Sequence, residues 1–391
     1  MPYAELVERI GGEGARTWEV HGRARELEDA GRDVILLSVG DPDFDTPAAI
    51  VDAAVDSLRR GRTHYTSMVG IPPLREAIAR RHKALTGHDA DPEAVIVMSG
   101  AQCALFATML CLAQAGDEVI VPEPMYVTYE GVMGATGATM VQVPLRSERR
   151  FHLDPADVAA AITPRTRAVL INFPHNPTGA TITAEELEGV AALCREHGLW
   201  LVSDEVYATL TYEGPHRSPV SLPGMAERTV VVDSLSKSHA MTGWRLGWAI
   251  APGDLAHHLE NLALCMLYGC PPFVQDAAVV ALGREFAEID AMRAEFRARR
   301  DRVAARVNAM PRARCIVPEG SMFLMIDVRD SGLGSTDFAM RLLEAEGVSV
   351  LPAEGFGPSA RGYLRMSLSA PIAVLDEACD RLERFLRGLN R

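Results

Sequence analysis

Lysine is almost missing from this chain. Of its 39 basic residues only Lys83 and Lys237 are lysines, and the other 37 are arginines. A guanidinium does not deprotonate in a protein, so chemistry that needs a side-chain amine has two candidates. Basic charge is scarce overall: 52 acidic against 39 basic residues leave a net charge of −13. That balance speaks against nucleic acid as a partner, since its binders carry a basic patch. It does not exclude an anionic ligand, because a local site can oppose the global charge. The seven cysteines are odd in number and scattered, without a CxxC pair. That pattern fits reduced thiols in the cytoplasm better than a disulfide framework or a zinc site, and no metal is expected. No run reaches 18 apolar residues, and residues 1–9 are polar and acidic without a signal-peptide core. Neither a membrane span nor a membrane partner is expected. Repeats and low-complexity segments are absent. So are GxxxxGK[ST] and a GxGxxG after a strand, which argues against a plain nucleotide-binding module.

What is present is an alternation of strands and helices over 391 residues, about two to three domains at roughly 150 residues each. Apolar, β-branched runs predict strands at 34–39, 95–98, 118–121, 168–172, 199–203, 229–233 and 246–249. Helical periodicity separates many of them, at 74–85, 102–114 and 184–197. The last of these has Thr183 as N-cap and Glu185 and Glu186 in its first turn. Near-continuous apolar strands between helices predict an α/β fold with a sheet covered on both faces. The C-terminal third reads as α+β, opening with a long Arg- and Glu-rich helix over 289–308. Pro-Pro pairs at 72–73 and 271–272 read as turns or kinks.

Four stretches carry chemistry. Ser99-Gly100-Ala101-Gln102 lies between a strand and a helix, where free N–H groups and a helix N-terminus suit a phosphate. Asn176-Pro177-Thr178-Gly179 follows a strand. Asp204-Glu205-Val206-Tyr207 closes a strand, placing a carboxylate and a tyrosine at the edge of a sheet. Ser234-Leu-Ser236-Lys237-Ser-His-Ala-Met-Thr-Gly-Trp-Arg245 puts a lysine beside small hydroxyl residues and a nearby cation. A lysine leaving a packed sheet near a cation has its ammonium form disfavoured, as Schiff-base chemistry requires. Lys83 instead follows Arg80-Arg81-His82 on a polar helical face and reads as solvated. Each stretch alone is a common turn; the four in this order are hard to obtain by chance.

In this order the chain resembles the class I and II aminotransferases, the fold-type I enzymes that use pyridoxal 5′-phosphate. The resemblance runs from Gly40-Asp-Pro-Asp-Phe-Asp-Thr-Pro47 to Tyr363-Leu-Arg365-Met-Ser367. It implies a large domain with a mostly parallel seven-stranded sheet between helices, plus a smaller α+β domain. The implied division is residues 1–48 joining the small domain, 49–285 binding the cofactor, and 286–391 completing the small domain, which closes on the substrate. The resemblance also implies roles. Lys237 forms the Schiff base, Asp204 pairs with the ring nitrogen, and Tyr207 and Asn176 bond the ring oxygen. Gly100, Ala101, Gln102, Ser234, Ser236 and Arg245 hold the phosphate, and Tyr126 stacks on the ring. Tyr65 reaches the neighbouring subunit's phosphate, which implies a homodimer with shared active sites. Arg365 clamps the substrate carboxylate, with Asn176 and the backbone of Gly40 beside it. Lys237, Asp204 and Tyr207 are the expected catalytic set.

Further stretches, among them Trp18-Glu-Val-His21-Gly-Arg23 and residues 258–269, look like the bacterial arginine–pyruvate transaminases. The implied donors are L-arginine and other basic amino acids, and the implied acceptor is pyruvate, a 2-oxo acid. Trp18 would offer its face to a guanidinium, worth about 0.5–2 kcal/mol, with Glu13 or Glu19 as a pairing carboxylate. Two other readings stay open: a lyase acting at Cβ with the same cofactor, and an aminotransferase for neutral or aromatic amino acids. A regulator on this scaffold would need an added DNA-binding domain, for which the roughly 40 residues before Gly40 leave no room.

Overall fold

The computed structural model describes residues 3–389, apart from the side chains of residues 13, 15 and 16. Its strands, in chain order, are β1 (Ile35–Leu36), β2 (Val95–Met98), β3 (Glu118–Glu123), β4 (Thr139–Pro144), β5 (Thr166–Asn172), β6 (Trp200–Asp204), β7 (Thr229–Ser234) and β8 (Gly247–Ile250). They continue with β9 (Arg314–Cys315), β10 (Phe323–Asp327), β11 (Val348–Ser349), β12 (Leu351–Pro352) and β13 (Tyr363–Ser367). Seven of them form the central sheet, in the order β2-β8-β7-β6-β5-β3-β4. Only β8 runs against the rest, pairing antiparallel with β2 and β7. This is the expected mostly parallel sheet, with a different strand list. The run at 34–39 supplies only β1, which pairs with β11 outside the large sheet. The seventh place goes to β4, a partly exposed edge strand that lies outside the predicted apolar runs.

Side chains alternate across the sheet as the period of two dictates. Ile96, Met98, Val121, Leu170, Val202 and Val232 share one apolar cluster with helices Ala101–Leu112 and Gly253–Met266. Val95, Val97, Val231 and Trp248 pack on the opposite side, with helices Ala48–Arg59, Pro72–Thr86 and Pro272–Gly283. The Pro-Pro pairs are helix starts rather than kinks. Pro72 and Pro272 occupy first helical positions, where the missing N–H costs nothing. Helix Ala184–His197 has the expected N-terminus, a full capping box between Thr183 and Glu186.

A second sheet, β12-β13-β10-β9, is antiparallel throughout. Its core joins Val20, Ala24 and Leu27 of the N-terminal segment to Phe338, Leu342, Leu375 and Leu382. Helix Ala287–Ala309 contributes Phe296, Val303 and Val307 to the same cluster. No helix among the described residues is long and apolar enough to cross a membrane.

Candidate active site

The C-terminal ends of β5, β6 and β7 converge on a cavity of about 220 Å³. Lining it are Ala101, Gln102, Tyr126, Asn176, Asp204 and Tyr207, and also Ser234, Ser236, Lys237, Arg245, Gly40, Arg365 and Trp18. The topology therefore gathers residues far apart in sequence. Two expected site residues stand apart. Gly100 lies just behind the lining as the N-cap of helix Ala101–Leu112, at φ 84°. A Cβ there would come 2.6 Å from Arg245 Nη2, so a side chain would displace that guanidinium. Tyr65 lies outside the cavity, 85% exposed, with its ring edge-on to Tyr268 at 4.9 Å.

Lys237 sits in a one-turn helix, Leu235–Ser238, directly after β7, and its Nζ donates to the Gly40 carbonyl. Burial pushes its ammonium down to about 8; Asp41 opposes this, and Arg365 and Arg245 add to it. The Lys83 amine is exposed at the far end of its helix and pairs with Asp89 at 2.6 Å. Composition offered two amines, and the fold encloses one.

Asp204 ends β6. Its Oδ2 accepts from the Tyr129 hydroxyl at 2.6 Å, and its Oδ1 from the Val206 N–H at 3.3 Å. Burial raises its carboxyl to about 6 against those two donors. Asn172 braces the same corner: its Nδ2 donates to the Asp204 carbonyl at 2.9 Å, and its Oδ1 accepts from the Asn176 N–H at 2.9 Å. Tyr207 is buried with its ring edge-on to Phe323 at 6.0 Å. Burial drives its hydroxyl well above the usual phenol range, while Asn176 bonds to it and pulls the other way.

Arg365, on β13, is only 2% exposed. Its Nη1 donates to Asn176 Oδ1 at 3.1 Å and its Nη2 to the Ser38 carbonyl at 2.7 Å. Its Nε has no partner. The guanidinium lies over the rings of Phe323 and Phe356, 4.3 and 4.8 Å from their centroids. Burial lowers it to about 10, so it stays charged at neutral pH. Gly40 has a neighbour that sequence did not foresee: a Cβ there would strike the Phe323 ring.

Arg245 is exposed, with φ 52° and ψ 51°, a left-handed conformation uncommon for a non-glycine. Its Nη1 donates to the Thr242 carbonyl at 2.7 Å. Beside it the first N–H groups of helix Ala101–Leu112 are left over from the helical ladder. The Gln102 Oε1 accepts from Thr128 at 2.8 Å. Trp18 borders the cavity, edge-on to His21 at 5.8 Å. Glu19 is exposed and absent from the cavity wall, and the Glu13 side chain lies outside those described. Asp204 is the lone carboxylate among the lining residues.

Known proteins with this arrangement place it. The family model for aminotransferase class I and II matches residues 32–382. The chain belongs to the class I and II aminotransferases. It is 54% identical over 382 residues to the arginine–pyruvate transaminase of Pseudomonas aeruginosa, covering 98% of this chain and 97% of that one. The solved structure of Thermus thermophilus aspartate aminotransferase with maleate superposes with a TM-score of 0.93 at 35% identity, covering 98% of this chain and 99% of that one. The aromatic aminotransferase of Pyrococcus horikoshii gives 0.90 at 37% identity, with 94% and 99% covered.

Aminotransferases of this class depend on pyridoxal 5′-phosphate. The residues present fit that group. Helix N–H groups, two serines and an arginine without a carboxylate partner suit a phosphate. A desolvated carboxylate lacking a cation suits a protonated ring nitrogen. An enclosed amine of lowered basicity suits an aldehyde. Tyr129, Asn172, Phe323 and Thr242 were not singled out from sequence. The only signal for Tyr129 was its place in Glu123-Pro-Met-Tyr-Val-Thr-Tyr129, beside the noted Tyr126.

Proposed function

We propose that this aminotransferase moves the α-amino group of L-arginine, or of another basic amino acid, to pyruvate in a ping-pong cycle. The observation that carries the reaction is one cavity holding the enclosed amine of Lys237, the buried fork of Arg365 and the desolvated carboxylate of Asp204. The substrate pair is supported by the 54% identity to an arginine–pyruvate transaminase.

Bound pyridoxal 5′-phosphate supplies an aldehyde that takes up the amino group and a ring that spreads the charge left on Cα. The chain does the rest. Arg365 grips the substrate α-carboxylate with its fork, and Asn176 and the Gly40 backbone complete that end. Lys237 Nζ would take the proton from Cα and deliver it to the former aldehyde carbon of the cofactor; its pKa near 8 keeps a usable neutral fraction at working pH. Asp204 holds the ring nitrogen protonated, and Tyr207 with Asn176 holds the ring oxygen. Gly100, Ala101, Gln102, Ser234, Ser236 and Arg245 bind the phosphate, and Tyr126 stacks on the ring. Trp18 faces the substrate guanidinium. Tyr65, too exposed to serve its own cavity, reaches the phosphate of a second copy, so the active unit is a homodimer. Segments 1–48 and 286–391 close as one unit over residues 49–285 and exclude water.

Lys237→Ala should retain its fold by circular dichroism and lose amino transfer by about 10⁴-fold or more. Retained transamination would overturn the assignment. An amino-acid panel with pyruvate and 2-oxoglutarate, read by product mass, tests the substrates. No rate with arginine and a clear rate with another donor would remove the arginine reading. Pyruvate and ammonia released from a cysteine conjugate without any oxo acid would redirect it to a lyase.

A further inference from the structure

Helix Ala287–Ala309 buries an arginine, Arg299, whose hydrogen bonds go to none of the cavity residues named above. Its Nη1 and Nη2 grip Asp43 as a fork, at 2.6 Å to Oδ1 and 3.1 Å to Oδ2. The same Nη1 donates to the Leu368 carbonyl at 3.1 Å, and Nε donates to Glu295 Oε1 at 3.0 Å. The guanidinium lies 4.9 Å from the Phe44 ring centroid and 5.5 Å from that of Phe296, two rings that meet edge-on. One planar group thus joins three pieces of chain: the helix, the loop after Gly40 and the segment after β13.

The spacing gives that junction a meaning. Asp43 lies three residues beyond Gly40, and Leu368 lies three residues beyond Arg365. The two strips are also laced directly, by Arg365 Nη2 to the Ser38 carbonyl at 2.7 Å and by the Ser367 N–H to the Leu37 carbonyl at 2.8 Å. Arg299 closes the outer end of the same lacing. A fork cannot slide along a carboxylate without losing a bond, so the distance between Gly40 and Arg365 is fixed from behind. Gly40 and Arg365 both line the cavity, and the buried Arg365 Nε is left without a partner there.

We infer that Arg299, through Asp43 and Leu368, is a positioning residue that sets the width of the α-carboxylate site for amino and oxo acids alike. The inference rests on the reading of Arg365 and Gly40 as the carboxylate end of the site. Cofactor groups lie on other strands, so their grip should not depend on it.

The test uses the cofactor-loaded enzyme with arginine and pyruvate and three variants: Arg299→Lys, Asp43→Asn and Arg365→Lys. Arg299→Lys keeps the charge and loses the fork. For it and for Asp43→Asn, KM for both substrates should rise about 10-fold or more, since small displacements from a productive pose are costly. kcat should change far less, and cofactor affinity by absorbance titration should stay at the wild-type value. Folded variants with unchanged KM would overturn the inference, as would cofactor affinity falling in step with the rise in KM. If Arg299→Lys fails to fold, Asp43→Asn decides; if neither folds, the pair is structural and the inference fails. Arg365→Lys separates the two readings. A raised KM there with flat Arg299 and Asp43 variants overturns only the positioning role. An unchanged KM in Arg365→Lys overturns the carboxylate site itself, and the inference with it.

Discussion

At the end of β6 two carboxylates follow one another, and the alternation of a strand sends them to opposite sides. Asp204 continues the face of Val202 and meets the cavity, with one hydroxyl and one N–H as donors. Glu205 continues the face of Ser203 and meets the protein interior. It accepts from Ser203 Oγ at 2.9 Å, Ser218 Oγ at 2.6 Å and His216 Nε2 at 2.9 Å. Both are buried, and burial pushes both carboxyls upward. For Asp204 burial prevails, and the group rises to about 6. For Glu205 the pull of His216, Ser218 and Ser203 prevails, and the group falls below the usual carboxylate range. The attraction of His216 together with the three donors, not the depth of burial, decides which acid is finished and which one still lacks a partner.

The contrast should break most visibly in turnover. Asp204→Asn removes the charge that faces the cavity, and kcat/KM should fall about 10³-fold, the upper range for losing one preorganised electrostatic partner. Steady-state kinetics on folded protein checks this. Glu205→Ala should instead show in stability. It strands three donors in the interior and should cost about 3 kcal/mol in denaturant unfolding. The folded fraction should keep amino-transfer rates within a few-fold. That stability has a pH signature. A carboxyl held below its unfolded value of 4.5 stabilises above that value and gives the stability up as pH falls. The gap between wild type and Glu205→Gln should therefore close in acid.

The finest probe is Tyr129→Phe, which removes one of Asp204's two donors and nothing else. Hydrogen bonds to charged groups are worth about 1.5–3 kcal/mol, so a loss of roughly 10- to 150-fold near neutral pH is expected. The sign on the pH axis is fixed. Asp204 must be ionised to serve, its folded carboxyl is already raised, and losing Tyr129 raises it further. The acid limb of the activity profile should move to higher pH. An unmoved limb would show that Tyr129 only fills space.

Sequence exposed the groups whose chemistry is rare. Lys237 stood out because almost every other cation is arginine, and Asp204, Asn176 and Arg365 because they lie in compact motifs. The structure brings these into one cavity. What stayed hidden were partners chosen by the third dimension. Tyr129 and Asp204 are 75 residues apart, and Arg299 and Asp43 are 256 apart; no local pattern records either pair. Phe323 was one apolar strand residue among many until its ring explained Gly40. The misplaced seventh strand has a similar cause. β4 is an edge strand with a half-exposed pattern, weaker as a signal than the apolar run at 34–39, which has a parallel partner along only two residues.

The exposed amine of Lys83 has a use outside catalysis. It lies on helix Pro72–Thr86, turned to solvent, while the other side-chain amine is enclosed. A gentle acylating reagent would meet one side-chain target, together with the chain terminus. Coupling to a support or a dye would then fall on the surface, away from the cavity, with Lys83 as its one side-chain anchor.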